Sequence, residues 1–486
     1  MVFNSLEFLI FFPLVATTFF LLPHRHRALF LLLASYFFYC WAVPVYGVLL
    51  LAITVLDWYC ALRIEKSGSI LTRRALLLLS LASNFGILFT FKYFNFFKSW
   101  LRDVAELFQT TLPLPTLSLL LPIGISFYVF QSVSYMIDVY NRREKAEPCF
   151  IKLALFISFF PQLVAGPIER SENLKPQFDE EKHFDELRVT AGLRLMLWGL
   201  FKKMVIADNI ARIVINVYGD PESYSGPSLV TATVFFAFQI YCDFSGYCDV
   251  AIGAAQVLGY RLMDNFRRPY YSQSIGEFWK RWHISLSTWF RDYLYIPLGG
   301  NRVGRSRWFL NLLIVFLASG LWHGANVTFI IWGFLHGLYL IAEIIFAPAR
   351  QQISERIGLP RFPALQSGLN IAFTFSLVCF GWIFFRAQNI NQALYIASHL
   401  FSGWGEIDSA LAFEKLVMVG SPVDFVVGCA SIAFMEWVEG SQQHKGMRFM
   451  FSERPAAVRW AMYYALVLCI LLLGEWQSKE FIYFRF

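Results

Sequence analysis

Two neighbouring runs, FWKRWHISLSTWFRDYLYIPLGGNR (278–302) and SGLWHGANVTFIIWGFLHG (319–337), decide how this chain is read. Each sets one histidine, His283 and His323, among aromatic residues. In the first run Phe278, Trp282, Leu286, Trp289, Tyr293 and Ile296 recur every three or four positions, which is the repeat of a single helical face. Lys280, Arg281, Arg291 and Asp292 fall off that face. The pattern predicts one amphipathic helix over 276–297, lying in a membrane interface or dipping in from the cytoplasmic side. Pro297 and Gly299-Gly300 stop it. On such a helix His283 shares a side with Trp279, Ser287 and Phe290. In the second run His323 sits between two apolar stretches, bracketed by Gly320 and Gly324. Small residues there permit close helix approach and leave room for a ligand.

The rest of the composition gives these runs their setting. Of 486 residues, 57% are hydrophobic, 18% aromatic and only 15% charged, with 52 phenylalanines. Soluble domains carry roughly 25% charged residues, and this chain has long apolar runs from end to end, the mark of a polytopic membrane protein. The net charge of +7 is concentrated. Between Asn265 and Arg307, Arg267, Arg268, Lys280, Arg281, Arg291, Arg302, Arg305 and Arg307 face only Glu277 and Asp292, a local +6. That is the signature of a cytoplasmic surface, and it also suits an anionic cofactor. The eight cysteines contain no C-x-x-C pair and mostly lie in apolar runs, where they read as small buried hydrophobes.

Taken in order, the first apolar span covers about 6–22 and is followed by Arg25 and Arg27. Spans at about 28–42 and 46–62 flank an uncharged turn and lead to the basic stretch Arg63–Arg74. Further spans are expected at about 75–97, 115–139, 190–208, 228–258, 308–322, 326–346, 369–388, 411–436 and 458–474. Counting short and broken helices, the chain predicts about ten to twelve transmembrane helices. Basic clusters on the inside place the N-terminus outside. No basic n-region or A-x-A site precedes the first span, which is therefore expected to be retained. Asp243 and Asp249 lie in an apolar stretch, where helix packing is the favoured role over catalysis.

An ionisable group at membrane depth is a functional candidate by default. Neutral imidazole near pH 7 can take a proton from a hydroxyl as its oxygen attacks a carbonyl. His323 is the stronger candidate; for His283 a polar residue at the interface is an equal reading. His336, thirteen positions past His323, falls on another face of a straight helix and reads as packing. No H-x-x-x-H or carboxylate–histidine cluster suggests a metal. There is no G-x-S-x-G elbow, Walker A or dinucleotide fingerprint. Acyl transfer from an anionic donor and proton-coupled transport both fit these residues.

At these same residues the chain resembles the membrane-bound O-acyltransferase (MBOAT) family, specifically its bacterial alginate O-acetyltransferase branch. The resemblance is carried by ordered blocks: LPIGISFYVFQSVSYMIDVY (121–140), FFPQLVAGPIER (159–170), YCDFSGYCDVAIG (241–253), NFRRPY (265–270), the two runs above, GWIFFRAQN (381–389) and FIYFRF (481–486). Cys248, where the family has a small hydroxyl residue, and Arg485, where it has an amide, depart from the pattern.

The resemblance implies an all-α polytopic membrane protein of MBOAT fold. Short amphipathic and re-entrant helices join the spans around a central funnel open to both sides. One membrane domain over 1–486 is expected, with N-terminal helices to about 114, a catalytic core at about 115–390 and C-terminal helices beyond. By motif the two family histidines are His323 and His283. Arg281, Arg291, Arg302, Arg305 and Arg307 become candidates for holding the donor's phosphates. The donor implied is acetyl-CoA, with no metal. The reaction implied is transfer of an acetyl group across a bacterial inner membrane for O-acetylation of an exported polysaccharide such as alginate. Direct attack on the thioester and relay through an acyl carrier both remain open. The branch also implies an extracytoplasmic partner of SGNH type, the polysaccharide export machinery and surrounding membrane lipid, and no nucleic acid. D-alanyl transfer to teichoic acid and a non-enzymatic exporter subunit are the alternatives.

Overall fold

The structure is a computed structural model that describes residues 1–41, 43–110, 115–117, 120–441, 454–476 and 481–482. Among these every regular element is a helix. Among the described residues six helices are long and apolar enough to cross a membrane: Val45–Lys66, Ile70–Leu107, Gly226–Leu258, Val327–Arg356, Pro363–Arg386 and Ala456–Leu473. Leu6–Leu21 is a shorter apolar helix. The protein is a multi-pass membrane protein.

Contacts divide the chain into two compact units. The first comprises Met1–Met196 and Tyr247–Met263. At its centre the helices Val45–Lys66, Ile70–Leu88 and Ile125–Tyr140 share one polar point. Asp57, with no exposed surface, accepts from Ser80 Oγ at 2.5 Å, from Asn84 Nδ2 at 2.9 Å and from Ser132 Oγ. Buried polar groups must find such partners where water is excluded, and the three donors come from two other helices. The apolar run expected to span 115–139 becomes a helix only from Ile125. Gly124 ahead of it has φ +75°, and a Cβ there would lie 2.4 Å from the Leu163 carbonyl oxygen. Gly192 and Gly253 approach so closely that a Cβ on either would lie within 2.7 Å of the other's carbonyl oxygen.

The second unit comprises Leu197–Gly246 and Asp264–Ile482. Helices Arg305–His323 and Val327–Arg356 form its tightest pair. They meet backbone to backbone: a Cβ on Gly320 would lie 2.3 Å from Phe329 O, and one on Gly333 2.2 Å from Phe316 O. Asn326 starts the second helix by accepting from Thr328 N at 3.1 Å. The span expected at 411–436 is instead two helices, Ala410–Leu416 and Pro422–Ser441. Val419 and Gly420, both at positive φ, and Pro422 at the next helix start interrupt the apolar run. The eight cysteines are unbridged, and Cys149 and Cys429 are exposed rather than buried. Arg485 lies outside the described residues.

Candidate active site

The helix predicted over 276–297 is broken at the residue of most interest. Ile275–Arg281 is a helix capped by Ser274, whose side chain accepts from Glu277 N. Trp282 then becomes extended and His283 takes φ +44°, ψ +55° before a new helix, Ile284–Phe290. A β-carbon-bearing residue occupies this left-handed region only when its surroundings impose it. Here the imposition comes from the NFRRPY loop. Asn265 O accepts from Ile284 N at 3.0 Å, and Arg267 N donates to Arg281 O at 2.9 Å. The two backbones are thus tied on both sides of His283. The aromatic stripe survives the break as far as Trp289, because Phe278, Trp282, Leu286 and Trp289 are all buried, whereas Tyr293 is half-buried and Ile296 is exposed. Its face is turned into protein, not laid on a membrane surface, and His283 itself has no exposed area.

The Asn265 side chain settles the tautomer of His283. Asn265 Oδ1 lies 3.1 Å from Ser285 N, 2.9 Å from Ser285 Oγ and 3.2 Å from His283 Nδ1. A backbone N–H can only donate, so the Asn265 atom facing it must be the oxygen. His283 Nδ1 therefore carries the hydrogen, and Nε2 is left with the lone pair. Burial lowers the His283 imidazole from its ordinary 6.5 to about 3, which keeps it neutral. Phe244 meets it edge to face at 4.7 Å and Trp322 at 6.0 Å.

His323 is held by rings. It is the last residue of its helix, is 3% exposed, and meets Trp322 at 5.0 Å, Trp332 at 5.0 Å and Phe385 at 5.2 Å, each near perpendicular. Trp322 thus touches both imidazoles, so residues forty positions apart flank a single indole. The flanking glycines do not leave open space. Gly320 is used up by the helix crossing, and a Cβ on Gly324 would lie 2.2 Å from the Phe329 ring. His336 is brought to the same cluster. The chain breaks between His323 and Val327, so the straight-helix argument does not apply, and His336 packs on Trp332 at 5.0 Å from the next helix.

The five candidate arginines differ in setting. Arg281 pairs with Glu277, and Arg291 Nε lies 2.7 Å from Asp292 Oδ1. Arg302, Arg305 and Arg307 are exposed on the loop and first turn before the His323 helix. Arg291 also lines a cavity of about 200 Å³ whose other walls include Trp279, Ser287, Tyr295, Phe316 and Ser319.

Two features escaped sequence reasoning. Asn265 was visible only as one letter of a matched block; its role depends on a partner eighteen to twenty positions later. The second is an ionic cluster behind Phe244. A π-helical stretch, Phe201–Ala207, carries two buried lysines. Lys203 Nζ reaches Asp243 Oδ1 at 2.5 Å and Asp208 Oδ1 at 2.9 Å. Lys202 Nζ donates to Ser245 Oγ at 2.9 Å and lies 3.6 Å from Glu439, which also accepts from Tyr241 OH. Asp243 takes a further hydrogen bond from Ile482 N at 2.7 Å. Tyr241, Asp243 and Ser245 surround Phe244 in sequence, so the cluster braces the turn that packs on His283. The signal available was an Asp in an apolar run, which indicates a buried partner without naming it.

The family model for MBOAT, the membrane-bound O-acyltransferase family, matches residues 27–386. A Pseudomonas putida protein named "Probable alginate O-acetylase AlgI" is 41% identical over 83% of this chain and 81% of its own length. A Helicobacter pylori protein named "Peptidoglycan O-acetyltransferase" is 36% identical over 76% of this chain and 72% of its own. The similarity to a Bacillus subtilis protein named "Teichoic acid D-alanyltransferase" is lower, 28% over 56% of this chain and 70% of that protein.

Proposed function

The chain belongs to the membrane-bound O-acyltransferase family, and from that premise we propose that it takes an acetyl group from cytoplasmic acetyl-CoA and passes it across a bacterial inner membrane for O-acetylation of an exported polysaccharide. It is an O-acyltransferase. Alginate is the leading acceptor, on the strength of the relatives at 41% identity, and peptidoglycan is the second. The N-terminus lies outside, and an extracytoplasmic SGNH-type partner and the export machinery receive the acetyl group. The catalytic core is taken as about 115–390.

The observation that carries this reading is the pair of buried imidazoles that both meet Trp322. In the reaction His323 acts as the base. The acceptor hydroxyl gives its proton to the imidazole as its oxygen bonds to the thioester carbonyl carbon. The carbon–sulfur bond then breaks, and the His323 imidazolium gives the proton to the departing thiolate. Thiolate leaves readily, so a base and correct placement supply most of the catalysis. His283, its Nδ1 held by Asn265 Oδ1, takes the supporting role. Arg302, Arg305 and Arg307 draw the donor's phosphates electrostatically, and Arg281 and Arg291 complete that field from within ion pairs.

The donor distinguishes this reaction from D-alanyl transfer. Membranes holding the protein are supplied with acetyl-CoA or with a D-alanyl-charged carrier protein. Release of free CoA thiol from the first alone is expected. Consumption of the carrier and not of acetyl-CoA refutes the proposal.

A further inference from the structure

His336 is an imidazole in a place that suits a phenylalanine. It has no exposed surface, and rings enclose it: Trp279 and Trp332 at 5.0 Å, Tyr339 at 5.6 Å, Phe278 at 6.3 Å and Phe316 at 6.4 Å. Among the described residues neither of its nitrogens has a hydrogen-bond partner. Trp279 Nε1 beside it has none either. Buried polar atoms left unmatched are destabilising, and each calls for a reason. Contacts with ring faces are too weak to supply one. A ring without nitrogens would fill the same space with nothing unmatched.

The surroundings supply the reason. Trp279 and Phe316, two of the rings enclosing His336, are also walls of the cavity of about 200 Å³ that carries Arg291, Ser287 and Ser319. Next to Trp279, at 5.7 Å, is Trp332, on which His336 also rests and which also meets His323. His336 therefore stands behind one wall of the cavity and one wall of the His323 site. An indole N–H that needs an acceptor lies beside an imidazole that needs both a donor and an acceptor. A secondary amide answers two of these three needs, its carbonyl taking the Trp279 N–H and its own N–H reaching the imidazole lone pair.

We infer that His336 and Trp279 form a binding site for the amide-bearing arm of the acyl donor, filled from the cavity when Trp279 turns. This rests on the reading of the protein as taking its acyl group from a thioester. The arm is common to coenzyme A and to a phosphopantetheine-bearing carrier, so the site serves either source. His336 here binds substrate; it moves no proton.

The test uses the full-length protein in detergent or nanodiscs, with acetyl-pantetheine as the probe. That compound keeps the thioester and both amides and lacks the nucleotide phosphates. Acetyl-pantetheine is expected to raise the melting temperature of the unsubstituted protein. His336→Phe should melt higher than the unsubstituted protein without ligand, and should bind acetyl-pantetheine about threefold to tenfold more weakly. His336→Gln, which restores a donor and an acceptor, should bind within about threefold of the unsubstituted protein. The inference is overturned if His336→Phe melts lower or fails to fold, since the imidazole would then be a structural residue. It is equally overturned if that variant binds the probe normally, or if the unsubstituted protein shows no shift with it. Binding of acetyl-pantetheine without turnover of acetyl-CoA would sink the proposed donor and leave the His336 site standing.

Discussion

The two imidazoles that flank Trp322 are held by different means. His283 is fixed by hydrogen bonds: Asn265 Oδ1 on Nδ1, and a backbone forced into the left-handed region between two loop-to-helix bonds. His323 is fixed by rings, at a helix end followed by glycine. A hydrogen-bonded imidazole has one tautomer and one orientation. A ring-packed one is confined in position by the shape of its neighbours. The first arrangement suits a group that presents a fixed lone pair, and the second suits a group that must gain and lose a proton within one turnover.

The difference is broken most severely at Asn265. Asn265→Ala removes the acceptor shared by His283 Nδ1, Ser285 N and Ser285 Oγ. A loss of about 2–3 kcal/mol in thermal stability is expected from the stranded donors. Acyl transfer should fall roughly a hundredfold as the imidazole loses its orientation. Unchanged turnover would mean that His283 needs no fixed tautomer.

The burial of His283 also predicts how stability responds to acid. Its folded-state value of about 3 lies below the ordinary 6.5. Between those values the unfolded chain binds a proton that the folded protein refuses, so this site's stabilisation is complete above 6.5 and declines as the pH falls towards 3. His283→Gln should flatten the fall of melting temperature over that window, measured from pH 7 down to about 4. An unaltered slope would place the acid sensitivity elsewhere.

On the other side of the comparison, Trp332→Phe keeps a ring against His323 and should cost about 1 kcal/mol, with turnover reduced only a few-fold. A collapse as severe as that of Asn265→Ala would show that the rings do more than confine. The smallest effect is expected at the exposed arginines. Replacing Arg302, Arg305 and Arg307 together with Gln should raise the KM for acetyl-CoA about threefold to tenfold at low ionic strength. The difference should vanish near 1 M salt, where screening is complete within about 3 Å.

Much of this site is legible in the sequence, for reasons that differ by residue. The stripe from Phe278 to Trp289 is buried as its spacing predicts, because apolar spacing reports which face is covered. His323 is found where glycine and Asn326 end one apolar run and start another. The break at His283 is invisible to periodicity, since it is imposed by Asn265 from another loop. The same holds for the approach of His323 and His336 to one indole, which requires the turn at 324–326 to fold the second helix back on the first. The split of the expected 411–436 span was signalled by Gly420 and Pro422, but the surrounding apolar residues outweighed them. Local pattern thus reports burial and breaks, while tertiary hydrogen bonds decide how a buried polar group such as His283 is braced.

The central claim is that His323 carries acetyl transfer to an exported polymer. It is tested most directly by the acetyl content of that polymer in a strain whose only copy of this protein carries His323→Ala, with the variant quantified in the membrane fraction. The account predicts loss of nearly all O-acetyl groups, a fall of about a hundredfold or more, with membrane levels of the protein unchanged. Normal acetylation by a His323→Ala protein present at ordinary levels would contradict it.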